Sequence, residues 1–174
     1  MSALKLSGAL LIVLAGWFIG FSVAEKFRLR PVQLRSLQSG LLMLQTEISY
    51  TATPLPEALS RVAERCDLSV QELFKGTAQK LMTRQGFTAA EAWNMTLKDW
   101  QLRVALMPSD VNILRNLGSV LGTSSREEQE KHLLLAREQL RQEEIKAEQE
   151  RNKNETLWKY TGVLTSLLIV IILY

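Results

Sequence analysis

The chain has 174 residues, enough for one domain with a real core, and a net charge of +3 with both signs mixed along its length. That mixture speaks against a nucleic-acid groove, which would gather Lys and Arg on one face. A single cysteine, Cys66, excludes an intrachain disulfide.

Composition shifts first at the N-terminal end. After a short leading segment, residues 1–5, the stretch Leu6–Ala24 (LSGALLIVLAGWFIGFSVA) runs nineteen residues without a charge. At about 1.5 Å per residue it covers roughly the 30 Å hydrocarbon core of a bilayer, so it reads as a transmembrane helix. Gly16, Gly20 and Ala24 fall at spacings of four and form a small-residue face on which another helix can pack closely. Lys26, Arg28, Arg30 and Arg35 follow the run, against Lys5 alone before it. Positive-inside bias therefore puts the central region in the cytoplasm and the N-terminus across the membrane. The rival is a cleaved signal peptide, because Ser22-Val-Ala24 matches a small-x-small cleavage site. That reading makes the protein an extracytoplasmic sensor or chaperone held by a C-terminal anchor.

Residues 25–158 read as helix throughout, broken by turns. Leu34, Leu37, Leu41, Leu44 and Ile48 recur at three and four and mark the first core-facing stripe. The stretch Thr51–Leu59 (TATPLPEAL) then makes a rigid corner. Thr53 is placed to cap the next helix, its prolines suit a first turn, and Glu57 adds negative charge at the positive helix end. Plain corner geometry explains this stretch, yet an exposed proline turn is also a preorganised contact point. Thr53, Pro54 and Glu57 are accordingly the candidate partner-binding residues.

The second helix carries Leu55, Ala58, Leu59 and Val62 and ends near Cys66. Ser69-x-x-Glu72 predicts a capping box for a third helix bearing Val70, Leu73, Phe74, Ala78 and Leu81. Gly86 stops that helix, and Thr88-x-x-Glu91 opens a fourth with Ala90, Trp93, Leu97, Trp100 and Val104. Pro108 breaks the pattern; Ser109 or Asp110 caps a fifth helix carrying Val111, Leu114, Leu117 and Leu121, closed by Gly122. Ser124 and Ser125, facing Glu127 and Glu128, start a last helix from about Arg126 that runs to the membrane as a charged stalk, with Leu133, Ala136, Leu140 and Ala147 as its stripe.

Residues 159–174 close the chain. Tyr160–Tyr174 is uncharged for fifteen residues, about 22 Å of helix, and spans a bilayer if Lys159 snorkels and Trp158 and Tyr160 sit among headgroups. Gly162 and Ser166 make a second small-residue face. Arg151, Lys153 and Lys159 before it again put the central region inside. The predicted fold class is all-α: a compact bundle of about six helices between an N-terminal and a C-terminal transmembrane helix.

No constellation for catalysis, metal or cofactor emerges. His132 lies among charged residues of a helix, Cys66 reads as buried filler, and no GxxxxGK[ST] loop is present. Glu143, Glu144, Glu148 and Glu150 interleave with Arg141, Lys146 and Arg151, which reads as pairing along one helix.

Arg30-Pro-x-Gln-Leu-Arg35, Thr46-Glu-Ile-x-Tyr50 and Thr53-Pro-Leu-x-Glu-Ala58, with Leu121-Gly122, the run EEQEKHLLLAREQLRQEE and Gly162 before a short apolar tail, resemble the stage III sporulation protein AB family of endospore-forming bacteria. The resemblance runs from the first apolar run to the last residue. It implies a non-enzymatic membrane component of the channel apparatus joining mother cell and forespore, located in the mother-cell membrane around the forespore. It also implies a central domain similar to the cytoplasmic domains of type II secretion and type IV pilus platform proteins. The implied partners are a cytoplasmic ATPase, stage III sporulation protein AA, and other membrane proteins of the channel complex, with a homo-oligomer left open. One bundle and two spans depart from the secretion platforms, so their rotation or piston schemes do not carry over.

Overall fold

The computed structural model describes residues 2–51, 53–83, 86–122 and 125–173, without the side chains at 2–10, 12–13, 155–156, 158–159, 162–163, 166–167, 170 and 172–173. Its elements are α1 (Ser2–Ser49), α2 (Leu55–Arg65), α3 (Leu68–Met82), α4 (Ala89–Trp100), a 3-10 turn (Gln101–Arg103), α5 (Pro108–Gly118) and α6 (Arg126–Leu173). Among the described residues there is no strand, and the all-α expectation of about six helices holds. Also among the described residues, no helix is long and apolar enough to cross a membrane.

The chain divides into two units. One comprises the terminal segments Met1–Leu29 and Lys146–Tyr174, and the other is Arg30–Ile145. In the terminal unit, Gly20 and Ala24 are buried while Trp17, Phe18 and Phe21 stand exposed. Glu25 accepts a hydrogen bond from Arg28 Nε at 2.9 Å, one turn along the same helix.

Within Arg30–Ile145 the first and last helices frame the bundle. Leu34, Leu37, Leu41, Leu44 and Ile48 of α1 are buried, as are Leu133, Ala136 and Leu140 of α6. Full burial of one such leucine removes it from water at a gain of about 1.5–3 kcal/mol. Polar ties flank the two stripes. Arg35 pairs with Glu144 at 2.7 Å, and Glu144 also accepts from Gln38 at 2.7 Å. Gln45 donates to Glu130 at 3.2 Å and accepts from Arg137 at 3.2 Å, and Ser49 donates to Glu130 at 3.1 Å.

The four short helices fill the remainder. Ala58, Leu59 and Val62 of α2, Val70, Leu73, Phe74 and Ala78 of α3, and Leu114 and Leu117 of α5 are buried at the predicted spacing. Trp93 lies at the centre. Its ring meets Phe74 edge-on at 6.0 Å between centroids, and its Nε1 donates to the Leu114 carbonyl at 2.8 Å. A buried indole leaves its N–H costly unless it is paired, so this bond fixes α4 against α5. Trp100 does the same towards α3, donating to the Ser69 carbonyl at 2.7 Å. Glycine makes the closest approach possible: a Cβ on Gly118 would collide with Trp93 Cδ1.

Several helix starts and stops differ from the sequence reading. The Thr88–Glu91 capping box is present in both directions, with the Thr88 N–H on Glu91 Oε2 at 2.9 Å and the Glu91 N–H on Thr88 Oγ1 at 3.2 Å. Ser125 and Glu128 form the same reciprocal pair, each at 3.3 Å, while Ser124 lies outside the described residues. The Ser69–Glu72 box does not form. α3 is already open at Leu68 with Asp67 as its N-cap, and Glu72 is drawn to Arg103 at 2.8 Å. At α5 Pro108 is itself the first helical residue, so Asp110 is the third. Its Oδ2 accepts the Met107 N–H at 2.8 Å, reaching back to the start instead of capping from in front. α5 ends at Gly118; Gly122, at φ +78°, serves the turn beyond it. Leu81 and Val104 are half-buried, because α3 is finishing at Met82 and the 3-10 turn ends α4's face before Val104.

Candidate functional site

The corner between α1 and α2 is organised by a residue absent from the sequence-based candidates, Glu47. Its carbonyl accepts the Thr51 hydroxyl at 2.6 Å and the Thr53 N–H at 3.1 Å. Its carboxylate accepts Thr53 Oγ1 at 3.0 Å and an Arg61 guanidinium N–H at 3.2 Å. These contacts hold the acid below its ordinary value of 4.5, led by the Thr53 hydrogen bond, with Thr51 and Arg61 adding to it and partial desolvation opposing. Glu47 was legible only as an acid one place after Thr46 in a helix pattern. What marks it is a carboxylate six residues before a threonine across a turn, a signal with many false positives.

Thr53 is therefore not the helix cap its position suggests. Pro54 occupies the N-cap position, with no side-chain capping bond, and the Thr53 hydroxyl turns back onto Glu47. Proline at the N-cap and again at Pro56 fixes the chain direction where the helix needs no N–H. Pro54 and Glu57 stand exposed, and Tyr50, 82% exposed, is the first residue of the turn after α1. Of the three candidates, two face solvent and the third braces them from behind.

At the other end of the bundle Arg30 is buried against two carboxylates. Its Nε lies 2.9 Å from Asp110 Oδ2, and one terminal nitrogen lies 3.0 Å from Asp110 Oδ1 and 2.8 Å from Glu143 Oε2. The bidentate fork satisfies the planar guanidinium and links α1, α5 and α6 at one point. Glu143 and Glu144 thus pair across helices with Arg30 and Arg35, where the sequence suggested pairing along α6. Arg151 and Glu148, 3.3 Å apart, do follow the predicted pattern. The reason is position: Glu143 and Glu144 flank the buried Leu140 stripe and meet α1, whereas Arg141 turns outward.

Of the small residues singled out on α1, Gly20 and Ala24 are buried and Gly16 is half-buried. Side chains at Gly162 and Ser166 lie outside the described residues. Cys66 is half-buried, not the buried filler expected, because it closes α2 beside the turn into α3. Burial, with Asp67 beside it, pushes its thiol up to about 11. His132 is exposed on α6. No group of three or more His, Cys, Asp or Glu able to hold a metal occurs among the described residues. A groove between α3 and α4, about 280 Å³, is lined by Glu72, Lys75, Lys80, Asp99, Trp100 and Arg103, an open mixture of charges with no nucleophile–base pair.

Comparison with known proteins covers nearly the whole chain. The family model described as stage III sporulation protein AB matches residues 5–174. Stage III sporulation protein AB of Bacillus subtilis (strain 168) is 36% identical over 170 residues, 98% of this chain and 99% of that protein. A solved structure of stage III sporulation protein AB superposes with a TM-score of 0.66 at 33% identity, covering 71% of this chain and 96% of the solved one.

Proposed function

The chain belongs to the stage III sporulation protein AB family, and from that premise we propose that it is a membrane-anchored, non-enzymatic scaffold of the channel apparatus between mother cell and forespore. In this reading the apolar parts of α1 and α6 cross the mother-cell membrane around the forespore, and the Arg30–Ile145 bundle lies in the cytoplasm. There it docks the cytoplasmic ATPase, stage III sporulation protein AA, to the membrane proteins of the complex. The observation that carries the reading is the double use of the two longest helices. Each is 48 residues long, and each runs unbroken from an uncharged terminal stretch into the frame of the bundle. A load applied to the bundle then reaches both anchors along the helical backbone, although α1 lacks one backbone hydrogen bond at Pro31, whose nitrogen carries no hydrogen. α1 also continues unbroken through Ser22–Ala24, with Ala24 only 1% exposed, which favours a retained span over a cleaved signal peptide and extracytoplasmic sensor.

The docking surface proposed is the α1–α2 corner. Pro54 and Glu57, braced by the Thr53–Glu47 bond, present a stiff edge that loses little entropy on binding. Full-length protein bearing Pro54→Ala and Glu57→Lys, immobilised in detergent, is expected to retain the purified ATPase several-fold less than the natural chain at unchanged helical circular dichroism. Equal retention removes the corner from the interface. No retention by either chain removes the ATPase as a partner.

A further inference from the structure

The boundary between the two units falls at a weak point of α1. The terminal unit ends at Leu29 and the bundle begins at Arg30, and Pro31 lies inside the helix one residue beyond that boundary. Helical register carries four backbone bonds across it, from the N–H groups of residues 30–33 to the carbonyls of residues 26–29. Proline has no N–H, so the bond from position 31 to the Phe27 carbonyl is missing and three remain. The proline ring also crowds that carbonyl and pushes the two turns apart. Proline is one of the few causes of sharp bends in long helices.

The bundle side of the boundary is fastened. Arg30 is held by Asp110 of α5 at 2.9 Å and by Glu143 of α6 at 2.8 Å, and Gln33 Oε1 accepts the Ala105 N–H at 2.8 Å. Pro31, Gln33 and Leu34 are buried. Movement of α1 therefore does not spread into the bundle, and the turn before Pro31 takes it up. In that turn Phe27 and Leu29 are half-buried and Arg28 is exposed, so its packing is looser than that of the turn which follows.

α6 crosses the same division, between Ile145 and Lys146, in a different way. From Arg126 to Thr161 it contains neither proline nor glycine. Each N–H at the division has a carbonyl four residues back, so α6 bends only as a continuous rod.

We propose that the turn Phe27–Pro31 is a joint: the bundle moves on it relative to the terminal segments, with α6 as the elastic strut that limits the swing. The device goes beyond the scaffold reading, because it is a property of the chain itself and needs no bilayer around the terminal segments. In a scaffold it lets the docked bundle shift while both ends stay anchored.

Pulsed spin-label distances on the full chain in detergent test it, in a Cys66→Ser background. Phe21→Cys with Ser39→Cys labels α1 nine residues to either side of Arg30, and Leu135→Cys with Lys153→Cys labels α6 across its own division. Each pair is eighteen residues apart, five turns or about 27 Å, and so lies on one helix face. All four positions are exposed. A bend of about 20° changes the separation of labels held about 6 Å from the axis by roughly 2 Å. The α1 distribution is expected to be broader than the α6 one by about that amount. Pro31→Ala is expected to narrow it to the α6 width and to leave the α6 pair unchanged. Equal widths in the natural chain overturn the proposal, since the proline then bends α1 rigidly or not at all; that comparison needs no proline variant. A broad α1 distribution that survives Pro31→Ala, at unchanged helical circular dichroism, also overturns it. Neither result depends on where the terminal segments lie, so the joint and the membrane reading stand or fall separately.

Discussion

At the scale of single residues, the bundle depends on charges that water cannot reach. Arg30 and Asp110 are almost wholly buried, with Glu143 beside them, and each carboxylate was made affordable by the other helix's arginine. Removing one partner strands the rest, so Arg30→Ala should lower the free energy of unfolding by about 3–5 kcal/mol, read from urea denaturation of the full chain in detergent. Glu47 and Glu91 act through pH. Both are held below their ordinary value of 4.5, Glu47 chiefly by Thr53 and Glu91 by the backbone and hydroxyl of Thr88. A carboxylate with a depressed folded value adds stability above its unfolded value and loses it as the pH falls through the folded one. The melting temperature should therefore hold steady from neutrality down to about pH 4.5 and decline below it, and Glu47→Gln should make that decline shallower. Cys66 gives a third outcome. With its thiol at about 11, thiolate at pH 8 is about a thousandth of the total, so alkylation of the folded chain should be far slower than of the urea-unfolded one.

At the scale of elements, packing between helices is set by where side chains are missing. Gly118 gives up its Cβ to let Trp93 lie against α5, and Gly40 does the same for Phe74 on α1. Gly118→Ala should cost about 1–3 kcal/mol by overpacking and raise the exposure of Trp93, visible as a red shift in its fluorescence. Neither glycine was legible as a contact, because sequence shows the absence of a side chain without showing what fills the space. The apolar stripes were legible: every residue assigned to the α1 stripe, and Leu133, Ala136 and Leu140 on α6, are buried, since a period of 3.6 against one core has one solution. Caps were legible where the side chain had no better partner, as at Thr88 and Glu91. They failed where a distant partner intervened, as when Arg103 took Glu72, or where the helix began earlier than expected, as when Pro108 took the first position and left Asp110 to reach back to Met107 from the third. The candidate corner was visible in its prolines, but its brace was not, because the Glu47 bonds cross a turn whose geometry only the folded chain defines.

At the scale of the molecule, the proposed topology makes one further demand. Gly86 lies in an exposed turn at φ +77°, so a reporter inserted there disturbs no helix. A reporter active only in the cytoplasm should be active when placed at Gly86 in sporulating cells, and silence with the fusion intact on a blot would put the bundle on the other side of the membrane. The helices that frame the bundle are the first and the last to be made. Arg35 meets Glu144 across 109 positions, and Arg30 meets Glu143 across 113. At a synthesis rate of about 5–20 residues per second, the leucines of α1 wait on the order of 5–20 s for their cover to leave the ribosome. During that interval the nascent chain is an aggregation hazard with its stickiest ridge bare. Early capture of its leading segment by lipid would keep neighbouring copies on a polysome apart until α6 arrives.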